Sequence, residues 1–373
     1  MTQRHSFSVL VLDLDDNPQI TLSVIRALGM VPGVEIHLVS KDRRSPARFS
    51  RWCRSFQHTA SPTDETAVLA MLEKSITQKH IDVVLPVAEI AIYLCSRNLA
   101  TLSALCAVTP VPTVLSFEIA VDKWQFTKYL MNNGIPCPHS IHIESPDDLE
   151  RAQSLLRFPV LLKPTRGQGG YGIEFYARFE DLYARFRERK SDMPNYLVQE
   201  FVDGYDFGCS ILSLNGEVLA YTVQRGRIAG SSQYGAPAGI EFLDDRDVYE
   251  SATAFPVRVH WNGVMNIDCR FDRHEGRVKV LEANPRYWRS LLGSVLAGVN
   301  FPYLACLKAQ HLPLPPGSYA PGRFIHENTV AFKRMLQQLF HQQEKVYRFH
   351  QTSLSFAIRD PLPDARLLAE RFL

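Results

Sequence analysis

Residues 7–13, FSVLVLD, form an unbroken apolar run that ends on an acid. A run so short and uniform predicts a strand covered on both faces, as in a parallel sheet flanked by helices. Apolar residues then recur at helical spacing, at Ile20, Val24, Ile25 and Leu28, and stop at Gly29. The pattern next predicts a strand over 34–39, a helix over 67–76 and a strand over 81–87. Alternation of strand and helix in this order predicts a parallel α/β domain over about residues 1–115. The texture changes after the proline-bearing stretch 109–116, which reads as a linker. A helix over 117–132 stops at Gly134, and a strand over 158–162 ends in Lys163-Pro164. A glycine-rich loop, a helix over 180–190 and a strand over 196–202 follow. Asn215-Gly216, between apolar runs 207–214 and 217–225, is a strong two-residue hairpin signal. This middle portion is therefore expected to be α+β with antiparallel pairing.

The most informative stretch is 264–286. Met265, Ile267, Cys269 and Phe271 alternate with Asn266, Asp268 and Arg270, which is period two, with one apolar and one polar face. A turn over 272–276 leads into a second strand, on which Glu282 and Asn284 share a face. Pairing of the two strands about residue 275 sets Asp268 opposite Glu282. Directly opposed like charges about 5 Å apart destabilise a sheet, so such a pair needs a cation between its members or a proton on one of them. With the amide oxygen of Asn284, the two carboxylates make a hard, all-oxygen set suited to Mg²⁺ held together with nucleotide phosphates. Arg286, just beyond, could reach the same phosphates. The plainer alternative is a surface hairpin with solvated carboxylates. The ordered set Asp268, Glu282, Asn284 and Arg286 weighs against it.

Composition narrows the class. Apolar residues at 46% and charged residues at 21% are ordinary for a globular chain, which excludes disorder, collagen and coiled coil as the dominant class. The net charge is +2 with no basic block, so nucleic acid is not the expected partner. Seven scattered cysteines, an odd number without CxxC, argue against a disulfide framework or a zinc cluster. The first apolar run is cut by Asp13, too early for a secretory leader, so the cytoplasm is the default compartment. The uncharged stretches 98–117 and 290–307 carry interrupting Pro, Gly and polar residues and read as buried core, so no membrane is expected. After the first strand the chain reads DLDDNP where a dinucleotide-binding fold needs GxGxxG, which disfavours a nicotinamide-dependent oxidoreductase.

The loop Gly167-Gln-Gly-Gly-Tyr-Gly172 follows the strand that ends at Lys163. Glycines in such a loop can turn successive N–H groups toward phosphate, although many such loops are merely turns. No GK[ST] follows, so it is not a Walker A loop.

Taken in order, these pieces resemble the ATP-grasp superfamily over roughly residues 110–310. They are Asp122-Lys123 opening a helix, Lys163-Pro164, GQGGYG, Gln199-Glu-Phe-Val-Asp-Gly-Tyr-Asp206, Asp268, Leu281-Glu-Ala-Asn-Pro-Arg286 and Gly298-Val-Asn-Phe-Pro302. The resemblance implies an N-terminal α/β domain over 1–115 and a two-lobed ATP-grasp domain with antiparallel sheet. Its small lobe would span 116–195 and its large lobe 196–312, with a C-terminal helix and tail over 313–373. It also implies roles. Lys123 and Lys163 would hold ATP phosphates, with Gly169 and Gly170 lying over them. Gln199 lies in the ATP-binding stretch, and the backbone of Glu200, Phe201 and Val202 would meet the adenine edge. Asp206 would bind the ribose, in a place where many members carry Glu. Asp268, Glu282 and Asn284 would ligate Mg²⁺ (one or two ions, Mn²⁺ being an alternative), and Arg286 would stabilise the transferring phosphoryl group, with Lys163 assisting.

Arg225, Arg227 and Ser231 fall where the family places a mobile active-site segment, and a guanidinium there could hold a substrate carboxylate. Trp288 follows Arg286 closely and is a further substrate candidate, whereas the other tryptophans read as core. The basic segment 41–52 is either a solvated loop or a contact for an acidic group, and His341 and His350 read as surface. The activity expected from the resemblance is ATP-dependent carboxylate–amine ligation through an acylphosphate. Its alternatives are an ATP-grasp enzyme activating bicarbonate or another small acid, and a non-catalytic ATP-binding regulator. The partners expected are small acids and amines, with a homodimer as the prior oligomeric state.

Overall fold

The computed structural model describes residues 6–369 except 16, 61, 189–194, 231, 316 and 341–346. Its first sheet contains β1 (Phe7–Asp13), β2 (Val34–Ser40), β3 (Cys53–His58), β4 (Val83–Pro86) and β5 (Ala107–Val108), all parallel, in the order β3-β2-β1-β4-β5. Val9, Leu10, Val11 and Leu12 are wholly enclosed, which is why this run carries no polar alternation. Helix Pro18–Gly29 covers one face with Ile20, Val24, Ile25 and Leu28. The strand order reverses between β1 and β4, which brings the turns after these two strands side by side, the position where open α/β sheets leave a crevice. There the Asp15 carboxylate accepts from Ile90 N at 3.1 Å, at the start of helix Glu89–Arg97. The helix expected over 67–76 is longer, Glu65–Lys79, and starts at Asp64, whose carboxylate accepts from Ala67 N.

The 109–116 stretch is not a free linker. Thr109 and Val111 are buried, and Gly263, at φ +98°, leaves room for the Pro110 carbonyl at a place where a side chain would collide with it. The single helix expected over 117–132 is two, Val114–Val121 and Lys123–Asn132. Asp122 separates them, because it has left helical backbone to cap the second helix, accepting from Trp124 N and Gln125 N at 3.0 Å. Local apolar spacing does not register such a break.

A smaller antiparallel sheet follows, made of β6 (Ser140–Ile143), β7 (Val160–Pro164), β8 (Glu174–Tyr176) and β9 (Tyr196–Glu200), in the order β6-β9-β7-β8. A larger antiparallel sheet contains β10 (Gly204–Leu214), β11 (Glu217–Ile228), β12 (Gly239–Phe242), β13 (Gly263–Asp272), β14 (Arg277–Asn284) and β15 (Gly322–Ile325). Its order is β14-β13-β10-β11-β12-β15. Asn215 and Gly216 make the β10–β11 turn with φ of +51° and +82°, the backbone that an Asn-Gly hairpin selects.

The 290–307 stretch folds as helices Leu291–Ala297 and Phe301–Ala309, bent by 83° and largely buried. Among the described residues no single helix is long and apolar enough to cross a membrane. Helix Pro361–Ala369 packs back on the turn Pro46–Phe49 beside the first sheet, and helix Leu354–Arg359 lays Phe356 edge-on against Phe324 of β15. Buried Asp360 accepts from Arg26 Nε at 3.2 Å, Ser50 Oγ at 2.9 Å and Arg51 N at 2.8 Å. The basic segment 41–52 is thus partly structural, with Arg48 lying 4.4 Å over the Phe56 ring and the Arg51 backbone held by the tail. His350 is exposed, and His341 lies outside the described residues.

Candidate functional site

The β13–β14 ribbon sets Asp268 opposite Glu282 and Asn266 opposite Asn284, with a bulge just after Asp268. Both amides turn their NH₂ groups on Asp268, Asn266 at 2.8 Å and Asn284 at 2.9 Å. Ser210 Oγ donates to Asn266 Oδ1 at 3.0 Å and so sets which way that amide points. Arg286 Nη2 donates to Asn284 Oδ1 at 3.0 Å, and its Nε pairs with Glu89 of the first domain at 3.3 Å. Asn284 was expected to offer its carbonyl oxygen to a metal. In this structure that oxygen accepts from Arg286 Nη2, and the amide NH₂ donates to Asp268.

Burial, followed by the facing Glu282 carboxylate, pushes the Asp268 carboxyl up to about 8. The Asn266 hydrogen bond and Arg286 act the other way without overcoming them. Among the described residues no Lys or Arg forms an ion pair with Asp268, and Glu282 has only Lys123, at 3.7 Å. Two close carboxylates with so little cationic company fit a divalent cation in donor type and in charge.

The same Lys123 donates to the Gly167 carbonyl at 2.5 Å, so one ammonium joins the glycine loop to the carboxylate pair. Gly169 and Gly170 hold φ of +72° and +76°, a backbone open to glycine. A side chain on Gly170 would strike the Tyr234 carbonyl at 2.4 Å, so the segment around Tyr234 lies directly on the loop. Lys163, at the end of β7, is buried and donates to Gln199 Oε1 at 2.6 Å. Burial, and after it Lys123 and Arg270, bring its ammonium down to about 8, while Glu282 and Asp268 oppose the shift.

The strand end at 200–202 is more committed than expected. Glu200 N donates to the His139 carbonyl and Phe201 N to the Pro159 carbonyl, so neither N–H is free for a base edge. The Glu200 carboxylate is also occupied, accepting from Arg157 N at 2.9 Å. Val202 N makes no hydrogen bond among the described residues, and the Val202 carbonyl accepts from Arg270 Nε at 2.7 Å. Arg270 also pairs with the exposed Asp206 carboxylate. Arg270 was missed as a site residue, although it is the third member of the polar face 266, 268, 270 and period two alone could have named it. Glu89 was missed as well, and no local signal could have found it, since only the packing of the first domain brings it to Arg286.

The substrate-side candidates separate. Arg225 lies 4.1 Å over the Tyr205 ring and has no carboxylate partner among the described residues. Arg227 is already engaged by Glu241 at 3.2 Å, and Glu241 also binds Arg323 at 3.0 Å. Trp288 does not face the site. It is 4% exposed and packs edge-on against Phe301 at 4.8 Å, because the chain turns inward after Arg286. Ser231 lies outside the described residues.

The sequence pattern of the family described as "ATP-grasp in the biosynthetic pathway with Ter operon" matches residues 192–326. The chain is 26% identical over 191 residues to carbamoyl-phosphate synthase of Methanobrevibacter smithii, covering 48% of this chain and 50% of that one. It is 24% identical over 181 residues to D-alanine–D-alanine ligase of Pseudomonas entomophila, covering 46% and 56%. It thus spans about half the length of the curated relatives it matches. Its fold is similar to N5-carboxyaminoimidazole synthetase from Staphylococcus aureus complexed with ADP, with a TM-score of 0.68 and 14% identity over 86% of this chain and 83% of that one.

Proposed function

We infer the activity from one premise, that the chain belongs to the ATP-grasp superfamily, a family that includes ATP-dependent ligases. We propose an ADP-forming carboxylate–amine ligase. A substrate carboxylate oxygen attacks the γ-phosphorus of ATP, the bond to the β-phosphate oxygen breaks, and ADP leaves. The resulting acylphosphate is attacked at its acyl carbon by an amine, which loses a proton as phosphate departs, leaving an amide. In this reading residues 1–115 and the large lobe over 196–312 flank the reacting groups, and 116–195 covers the nucleotide.

Lys163 and Lys123 hold the phosphates, and the loop containing Gly169 and Gly170 lies over them. Asp268 and Glu282 would hold Mg²⁺, which when bound supplies positive charge that phosphoryl transfer otherwise lacks. Arg286, kept in place by Asn284 and Glu89, faces the charge that develops on the phosphoryl group. Arg225, free of any carboxylate among the described residues, takes the substrate's own carboxylate. Closure of the Tyr234 segment over the glycine loop keeps water from the labile acylphosphate.

The observation that carries this reading is the opposition of Asp268 and Glu282, both half-buried, beside a lysine that also holds the glycine loop. The test is ADP release from ATP with pairs of acids and amines. Glu282→Gln is expected to keep the fold and to lower turnover by at least ~10²-fold, the scale on which charge stabilisation acts in such sites. Wild-type turnover in that variant removes the metal assignment. The similarity to carbamoyl-phosphate synthase supports a second reading, in which the acid is bicarbonate or another small acid. Bicarbonate run as the acid in the same assay separates the two. Binding of ATP with no turnover on any pair points instead to a regulator.

A further inference from the structure

Among the described residues two lysines, Lys163 and Lys279, are buried, and their company differs. Lys279 has carboxylates on two sides, Asp272 at 2.9 Å and Glu275 at 2.6 Å. Lys163 has an amide. Its Nζ donates to Gln199 Oε1 at 2.6 Å, Gln199 Nε2 donates to Ser140 Oγ at 3.0 Å, and Ser140 Oγ donates to the Pro138 carbonyl at 3.0 Å. Gln199 opposes Ser140 directly across β6–β9, and it lies diagonal to Lys163, which pairs with Leu197 on the other side of β9. All three side chains are buried, at 6% exposure for Lys163, 1% for Gln199 and 6% for Ser140. Since Ser140 gives its proton to Pro138, it can only accept from Gln199, which turns the amide oxygen toward Lys163. The Gln199 oxygen is thus directed at Lys163 and its NH₂ at Ser140.

A buried ammonium without a bonded carboxylate is costly, and such an arrangement persists where another anion completes it. We propose that Gln199 and Ser140 are positioning residues for Lys163: the neutral relay fixes the direction of the ammonium and leaves its charge for the phosphate oxygens of the nucleotide. The inference rests on the nucleotide site proposed above. The charged groups facing Lys163 are Glu282 and Asp268, which favour its charged form, and Lys123 and Arg270, which oppose it. Of these four charges the attractive ones act more strongly, and burial still brings the ammonium down to about 8. A bound polyphosphate would restore the charged form, so the part of the nucleotide affinity that Lys163 supplies should be full below pH 8 and be lost above it.

The test uses the full chain and ADP with Mg²⁺ as the probe, with the dissociation constant measured from pH 6.5 to 9.5 and the KM for ATP alongside. Gln199→Glu places a permanent anion on Lys163. It should weaken binding by about tenfold at pH 7, where one pKa unit of differential interaction is worth that factor, and move the alkaline fall upward by about a unit. Gln199→Leu removes the acceptor and should move that fall downward. Ser140→Ala should move it the same way by less, and Ser140→Thr should restore it. If Gln199→Leu does not fold, Gln199→Glu and the Ser140 pair still decide the matter. Wild-type affinity and an unmoved pH profile in Gln199→Glu overturn the proposal. A wild-type chain that binds no ADP at any pH removes the nucleotide site itself, and this inference with it.

Discussion

The two ends of the β13–β14 ribbon carry carboxylates in similar number and treat them in opposite ways. At the turn, Lys279 binds Asp272 and Glu275, and Arg277 and Arg157 also reach Glu275, at 2.6 and 3.1 Å. The hydrogen bond from Lys279 holds the Glu275 carboxyl at about 2. Burial pushes Asp272 up, but Lys279 and the backbone N–H groups of Glu275 and His274 bring it below the ordinary range. At the open end, Asp268 receives two amide NH₂ groups and no cation in ion-pair contact among the described residues, and its carboxyl rises to about 8. A carboxylate cluster that carries its own cations is complete as folded. One that lacks them stores repulsion until a cation or proton arrives. The ribbon is therefore anchored at its turn and left electrostatically unfinished where it meets the glycine loop.

The largest effect that can break this comparison lies at the turn. Lys279→Met leaves Asp272 and Glu275 close together without their shared ammonium, and it should cost about 3 kcal/mol of stability by urea denaturation, the scale of a buried pair that loses one member. A loss near zero means that the turn is no more neutralised than the open end.

Next comes the response to ligand. ADP with Mg²⁺ at a hundredfold excess over its dissociation constant should stabilise the wild-type chain by about 2.7 kcal/mol. Asp268→Asn should lose most of that gain while its ligand-free stability stays level or rises slightly, since the substitution relieves the repulsion with Glu282. An equal gain in wild type and variant would place the cation elsewhere.

The smallest effect sharpens the turn. Glu275 has its pKa lowered from 4.5 to about 2, so its contribution is present above about pH 4.5 and is lost as pH falls toward 2. Glu275→Gln should make acid unfolding shallower across that window by about 1 kcal/mol or less, because the group is partly solvated. An unchanged acid limb removes Glu275 from the neutralised end.

Much of this was legible in the residues. Period two across 265–271 named the strand and its polar face, and a single turn at 275 placed Asp268 opposite Glu282, as the register has it. Asp122, Lys123 and the glycine loop were also visible as pieces. What was not legible depended on partners distant in sequence. Arg227 looked as available as Arg225 until β12 and β15 brought Glu241 and Arg323 beside it. Trp288 looked like a neighbour of Arg286 until the chain turned into the core at Phe301.

The residues alone determined the elements and which side chains share a face, because the periods of strand and helix and the chemistry of turns act over a few positions. Only the tertiary structure decided which charges are cancelled. Coulomb and desolvation energies depend on distance and burial across strands and domains, and Glu89 at Arg286, Lys279 between Asp272 and Glu275, and Gln199 under Lys163 are meetings that no local pattern records.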